Sequence, residues 1–315
     1  MPRSVAPSLA RELRAALAPF GVEVGRLRRP PAGLGRATFL AGPVVVKLAP
    51  REARDELVQR LRVLRALRPR AVAVPRPLAD EPFALSVGLG WAYRALPGRT
   101  ARACALDGSR EAFGVLAGRL DAALARIPPR APVASTDLAA LAARLRDHDA
   151  CGCADAVARA ADAAAERLQQ LDLEPVRRQY LHRDLNDGNV LFDAETNAAA
   201  VIDFDLLAVD LLPRDVAVPF GIEVTRRDGG VDLRRGRAIL AGYLSAMPLR
   251  EEERRAIPAL SLAHWVEGVV YVCAQPWSNA PAERLARYRR KALLRLAAVH
   301  AALPALEEVC LRGAG

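Results

Sequence analysis

Leucines at 9, 13 and 17 recur every fourth position between Pro7 and Pro19, which predicts a short amphipathic helix with Ser8 as its N-cap. From residue 21 the pattern changes to short β-branched runs broken by Gly and Pro. Val22–Leu27, Ala37–Leu40 and Val44–Leu48 are expected as three antiparallel strands. Residues 50–67 return to the helical period, with Leu57, Leu61, Leu64 and Leu67 on one face. Ala73–Pro77, Phe83–Gly88 and a strand from Trp91 ending in a Pro-Gly turn continue the extended region. After about residue 98 helical periods dominate. Phe113, Leu116, Leu120 and Leu124 mark one helix, stopped by Pro128-Pro129, and Asp137 caps a second through Leu145. An Ala-rich third spans 154–171, and others are expected at 232–246, 250–273 and 280–301. The pattern predicts an α+β chain, β-rich over residues 1–95 and helical over residues 96–315.

Composition narrows the class. A length of 315 residues, 52% hydrophobic and 26% charged, suits one large or two medium globular domains. No apolar run approaches a membrane span; the best, Val266–Cys273, is short and interrupted by Glu267. The N-terminus lacks a signal core, and the 5 cysteines are scattered, so a cytoplasmic protein without a disulfide framework is expected. Cys151 and Cys153 have no second cysteine pair beside them and read as an incidental loop pair rather than a zinc site. A net charge of +10 raises the possibility of a nucleic-acid partner. Against it, the arginines are spread through nearly every segment, and aromatics, at 5%, form no stacking stripe. Neither a nucleic-acid nor a membrane partner is expected.

The chemistry gathers in Tyr180-Leu-His-Arg-Asp-Leu-Asn-Asp-Gly-Asn-Val-Leu-Phe192, followed by Val201-Ile-Asp-Phe-Asp205. The oxygen donors Asn189 and Asp203 suit a hard cation such as Mg2+, which keeps water and phosphate as its other ligands. Asp184 would stand close to that metal without binding it, where a group accepting a hydroxyl proton belongs. Lys47, in Val44-Val-Val-Lys-Leu48, is one of only two lysines among 46 basic residues. A compact ammonium retained against that bias points to a position that demands it, such as one between phosphates. The other, Lys291, lies on an ordinary solvated helix face.

The spacing His-x-Asp-x-x-x-x-Asn, with Ile-Asp-Phe-Asp downstream, resembles the kinase superfold. The likeness is greatest to its small-molecule branch of aminoglycoside phosphotransferases, choline kinases and homoserine kinase-like proteins. That resemblance implies a bilobal protein-kinase-like fold, with a small antiparallel-sheet N-lobe and a larger helical C-lobe. It implies ATP and Mg2+ as cofactors, Lys47 on the α- and β-phosphates, and Gly33 and Gly35 in the turn over the phosphates. For the lysine's acidic partner Glu52 and Glu56 are the candidates, Glu56 ahead, although relatives tend to carry it about a turn later, where this chain has Arg60. A hinge at 93–96, including Tyr93 and Leu96, would meet the adenine. His182, Asp205 and Asp215 would support the catalytic loop, Asp215 by bracing it from a helix start. Trp265 and Glu267, ahead of Tyr243, His264, Trp277 and Asn279, would reach the acceptor. Relatives usually carry Gly where this chain has Arg183, and many end the first C-lobe helix in Leu-His, which is absent here. Residues 239–260 look most like the homoserine kinase-like branch, and the excess of basic over acidic residues after Arg250 leans against a polycationic acceptor.

The function expected is an ATP- and Mg-dependent phosphotransferase acting on a small-molecule hydroxyl. A non-catalytic nucleotide-binding regulator and a bacterial Ser/Thr protein kinase are the alternatives. Asn186, where protein kinases usually have Lys, and the missing activation segment speak against the latter.

Overall fold

The computed structural model describes residues 7–25, 27–28, 38–67, 72–101, 110–134, 137–146, 152–193, 198–226, 228–274 and 282–312. The chain forms two compact units: Met1–Arg99 with Leu191–Ile202, and Thr100–Val190 with Asp203–Gly315.

The first unit is built on an antiparallel sheet of order β1-β2-β4-β3, from β1 (Thr38–Ala41), β2 (Val44–Ala49), β3 (Phe83–Leu85) and β4 (Gly88–Arg94). Helix α1 (Pro7–Leu17) lays Leu9, Leu13 and Leu17 onto Val44, Val46 and Ala92 of this sheet, in a core shared with Val22, Val24 and Phe39. Each fully buried Leu or Val contributes about 1.5–3 kcal/mol relative to exposure. Strand alternation then turns Val45 and Lys47 to the opposite face, in register with Tyr93 and Trp91 respectively. Helix α2 (Arg54–Ala66) follows a short 3-10 turn and buries Leu57, Leu61, Val63 and Leu64. The expected strand over Val22–Leu27 does not form among its described residues. That segment buries Val22 and Val24 and pairs only beyond its end, through the Arg28–Leu40 bridge. Two short strands, β7 (Val190–Asp193) and β8 (Ala198–Val201), are paired, and Ala200 bridges Ala73 within this unit. Strand β5 (Arg99–Thr100) lies at the unit boundary.

The second unit is mainly helical: α3 (Arg110–Leu124), α4 (Leu138–Arg146), α5 (Ala154–Gln169), α6 (Arg214–Glu223), α7 (Leu233–Ala246), α8 (Glu251–Ala274), α9 (Ala282–Ala301) and α10 (Leu303–Arg312). The Asp137 carboxylate caps α4 by accepting the Ala140 N–H at 2.9 Å, as its position implied. Helix α8 packs against α4, α5, α6, α9 and α10. Its residues Glu251–Cys273 are long and apolar enough to cross a membrane, although no such run was expected from the sequence. Its apolar window is 78% buried inside the protein, which is the burial of a core helix. An antiparallel ladder of β6 (Arg178–Leu181) and β9 (Ala208–Leu211) completes the unit and ends at the pair Leu181–Ala208. The residues leaving β6 and those entering β9 therefore emerge at one end of the ladder. The fold is the mixed helix and sheet arrangement, with a small antiparallel sheet and a helical remainder, that the pattern and the resemblance implied.

Candidate active site

The end of the β6–β9 ladder presents the loop 182–189 beside the turn 203–207. Arg183 and Asp203 are the non-glycine residues with positive φ among those described, at 65° and 70°. Left-handed backbone costs a non-glycine residue of order 1 kcal/mol or more and persists only where its surroundings fix it. At Arg183 the fixing is visible. The His182 and Arg183 N–H groups donate to Asp215 Oδ2 and Oδ1 at 2.7 and 2.5 Å. Asp215 sits fully buried in the first turn of α6. His182, also fully buried, accepts the Asp184 N–H on Nδ1 at 3.2 Å and meets the Phe204 ring edge-on, centroids 4.6 Å apart. The hydrogen-bonded Nδ1 places the proton of neutral His182 on Nε2.

Asp184 is held by two amides. Asn186 Nδ2 donates to Oδ1 at 2.8 Å, and Asn189 Nδ2 donates to Oδ2, also at 2.8 Å. Asn186 Oδ1 in turn accepts the Gly188 N–H at 2.8 Å, which closes the loop on itself. Burial raises the Asp184 pKa, the negative charge of Asp203 adds to this, and His182 with the two amides pulls the other way. With its Nδ2 spent on Asp184, Asn189 offers Oδ1 to a cation. Asp203, close enough to perturb Asp184, offers a carboxylate. One amide oxygen and one carboxylate are few ligands, and among the described residues no group of three or more His, Cys, Asp or Glu could hold a metal. That donor set suits Mg2+, which retains waters and phosphate oxygens, and does not suit a metal held wholly by protein. Asp205, expected to support the loop, is exposed on the 3-10 turn Phe204–Leu206.

Arg183, where relatives usually have Gly, pairs its Nε with Asp210 Oδ2 at 2.9 Å. Arg214 pairs with Glu267. Glu267, expected in the acceptor pocket, forms an ion pair with the residue that opens α6. Trp265 is buried, with Nε1 3.4 Å from the Gly221 carbonyl and the Arg295 guanidinium over its ring at 5.1 Å. Tyr243, also expected near the acceptor, is fully buried and donates to Asp121. Its helical period turned it inward, and the hydroxyl found a partner inside the protein.

In the first unit Lys47 is buried, 5% exposed, on the face of the sheet that carries Trp91 and Tyr93, whose rings lie 5.2 Å apart. Glu56 is exposed. The reason is helical geometry: α2 buries Leu57, and its neighbour Glu56 lies about 100° round the helix from it. Tyr93 is buried and Leu96 half-buried. Gly33, Gly35, Trp277, Asn279 and Cys151 lie outside the described residues, and Cys153 is a buried free thiol.

Sequence reasoning missed Asn186 as a holder of Asp184, Asp210 as the partner of Arg183, and Asp121. The first had a local signal, an amide two residues from a carboxylate on a tight loop. The other two are partners distant in sequence.

Comparison with known proteins follows the same lines. The model of the phosphotransferase enzyme family matches residues 26–252. A homoserine kinase of Gluconacetobacter diazotrophicus is 37% identical over 105 residues, which is 33% of this chain and 32% of that protein; the match thus spans about a third of its length. Among solved structures, the microcompartment-associated aminopropanol kinase superposes with a TM-score of 0.70 at 18% identity, covering 94% of this chain and 98% of that one. A spectinomycin phosphotransferase in complex with ADP and spectinomycin gives 0.57 at 14% identity, covering 92% and 98%.

Proposed function

The chain belongs to the phosphotransferase enzyme family, and from that premise we propose that it transfers a phosphoryl group from ATP, with Mg2+, to a hydroxyl of a small molecule. The observation that carries the reading is the Asp184 carboxylate, held at both oxygens by Asn186 and Asn189 beside Asp203. Those amides orient the carboxylate without protonating it, so it can receive a proton from an incoming hydroxyl. Asn189 and Asp203 would hold Mg2+, which when bound neutralises phosphate charge. Lys47 is assigned to the α- and β-phosphates, and the backbone near Tyr93 and Leu96 to the adenine. The contribution of the protein is mainly position and electrostatics, as phosphoryl transfer requires.

For the acceptor, the named relatives supply the first compounds to try. Homoserine and aminopropanol are both short amino alcohols, and spectinomycin represents the antibiotics. The experiment is a screen of such hydroxyl compounds for ADP release with ATP and Mg2+, alongside Asp203→Ala. Acceptor-dependent ADP release in wild type, with Mg2+ strengthening ATP binding to wild type but not to the variant, is the expected result. Nucleotide binding without transfer to any acceptor would favour a regulator instead.

A further inference from the structure

Helices α3 and α7 touch through glycine. A Cβ at Gly114 would stand 2.1 Å from the Ile239 carbonyl oxygen, one at Gly118 2.7 Å from that of Tyr243, and one at Gly242 2.0 Å from that of Glu111. Only hydrogen at these positions allows so close an approach. The approach brings Tyr243, next to Gly242, to Asp121, about a turn beyond Gly118. Tyr243 Oη donates to Asp121 Oδ2 at 2.5 Å, and both side chains are fully buried. Gln179 Nε2 fixes the same turn by donating to the Asp121 backbone oxygen at 2.9 Å. Asp121 Oδ1, however, receives no N–H or O–H donor, and the Asp121 side chain lies within interaction range of the Asp215 carboxyl group.

Two carboxyl groups in contact, shut away from water, cannot both be ionised; one proton between them turns repulsion into a hydrogen bond. The donors decide where it resides. Asp215 accepts two backbone N–H groups, from His182 and Arg183, which stabilise its anion. Asp121 has the Tyr243 hydroxyl alone. Arg177, whose charge acts on Tyr243, is engaged at Nε and Nη2 by Glu253, each at 2.7 Å. We propose that Asp121 is a positioning residue that keeps its proton on Oδ1 and donates it to Asp215, so that the catalytic loop is held through the chain Tyr243–Asp121–Asp215. Burial and the Asp215 charge both push the Asp121 carboxyl well above the usual carboxylate range, against the opposing pull of Tyr243. The groups facing it are Tyr243 from α7 and Asp215 from α6, with Arg177 and its partner Glu253 beyond the tyrosine.

The effect on turnover rests on the assignment of Asp184 proposed above; the bound proton does not. The test compares the full chain with Asp121→Asn and Asp121→Ala, following unfolding in urea and ATP-dependent turnover between about pH 5 and 9. Asn mimics the protonated acid, since its N–H can donate to Asp215 while its oxygen accepts from Tyr243. Because the folded wild type holds a proton that the unfolded chain releases, its stability is complete below the unfolded carboxylate pKa and falls as pH rises toward the folded one. In that window the wild-type folding constant should drop about tenfold more per pH unit than that of Asp121→Asn, one proton's worth. Asp121→Asn should keep neutral-pH kcat within about threefold of wild type, because it restores the donor. Asp121→Ala should lose kcat while KM for ATP stays put. Equal pH slopes in wild type and Asp121→Asn would overturn the proposal, as would an Asn variant as inactive as the Ala variant. Should Asp121→Ala not fold, or should wild type show no turnover, the comparison of slopes decides alone.

Discussion

Asp215 accepts the backbone N–H of His182 at 2.7 Å and, with its other oxygen, that of the adjacent Arg183 at 2.5 Å. One buried carboxylate at the start of a helix thereby sets the backbone of the loop that carries Asp184, including the left-handed turn at Arg183. Asp215→Ala leaves both donors without that partner inside the protein. Each buried group so abandoned costs about 1–3 kcal/mol, so a loss of roughly 2–6 kcal/mol is expected for the two. Urea unfolding at neutral pH measures it, and a loss under about 0.5 kcal/mol, the usual range for uninvolved surface sites, would show that the brace is dispensable.

Arg183 and Asp210 form a pair with side chains 17% and 9% exposed. Burial raises the Asp210 pKa, while Arg214 and Arg183 hold it down and Glu267 adds to the rise. Arg183→Gly suits the positive φ but removes one restraining cation, so the Asp210 pKa should climb further. A carboxyl with a raised folded pKa confers stability at low pH that is lost as pH rises through that pKa. The variant should therefore lie nearest wild type around pH 4 and fall behind progressively toward neutrality, by about 1–3 kcal/mol at pH 7, below the range for fully buried pairs. A pH-independent difference would argue that the pair carries no linkage.

Asp184→Asn tests the proposed proton acceptor. The amide keeps the size of the side chain and an acceptor oxygen but cannot take a proton near neutrality. A positioned general base contributes about 10²–10⁴-fold, so kcat should fall by that much with ATP binding nearly intact. Unchanged turnover with a true acceptor would remove the base assignment. Loss of ATP binding together with the fold would make Asp184 structural.

Lys47→Arg conserves charge on a buried strand position, but a planar fork cannot replace a compact ammonium between phosphates. Hydrogen bonds to charged groups contribute about 1.5–3 kcal/mol, so a rise in KM for ATP of about tenfold or more is expected. Wild-type kinetics would return Lys47 to an ordinary buried strand residue.

The sequence by itself determined the elements and the chemistry-bearing loop. Leucine spacing at 9, 13 and 17 and the periods of the later helices are local, and the structure keeps them as α1 and the helices of the second unit. The cluster of Asp184, Asn186 and Asn189 was also close to legible, because a tight loop with its ends five positions apart cannot separate its own side chains. Tertiary structure decided the partners. That Glu267 on α8 pairs with Arg214 depends on how α8 packs against α6. The exposure of Glu56 follows from the burial of Leu57, which fixed which face of α2 points outward. Asp121 meets a hydroxyl 122 positions away, because glycines in two helices let their backbones close together. Periodicity says which way a side chain faces, but an ion pair or a shared proton depends on what another segment brings to that face, and that is settled only when the chain packs.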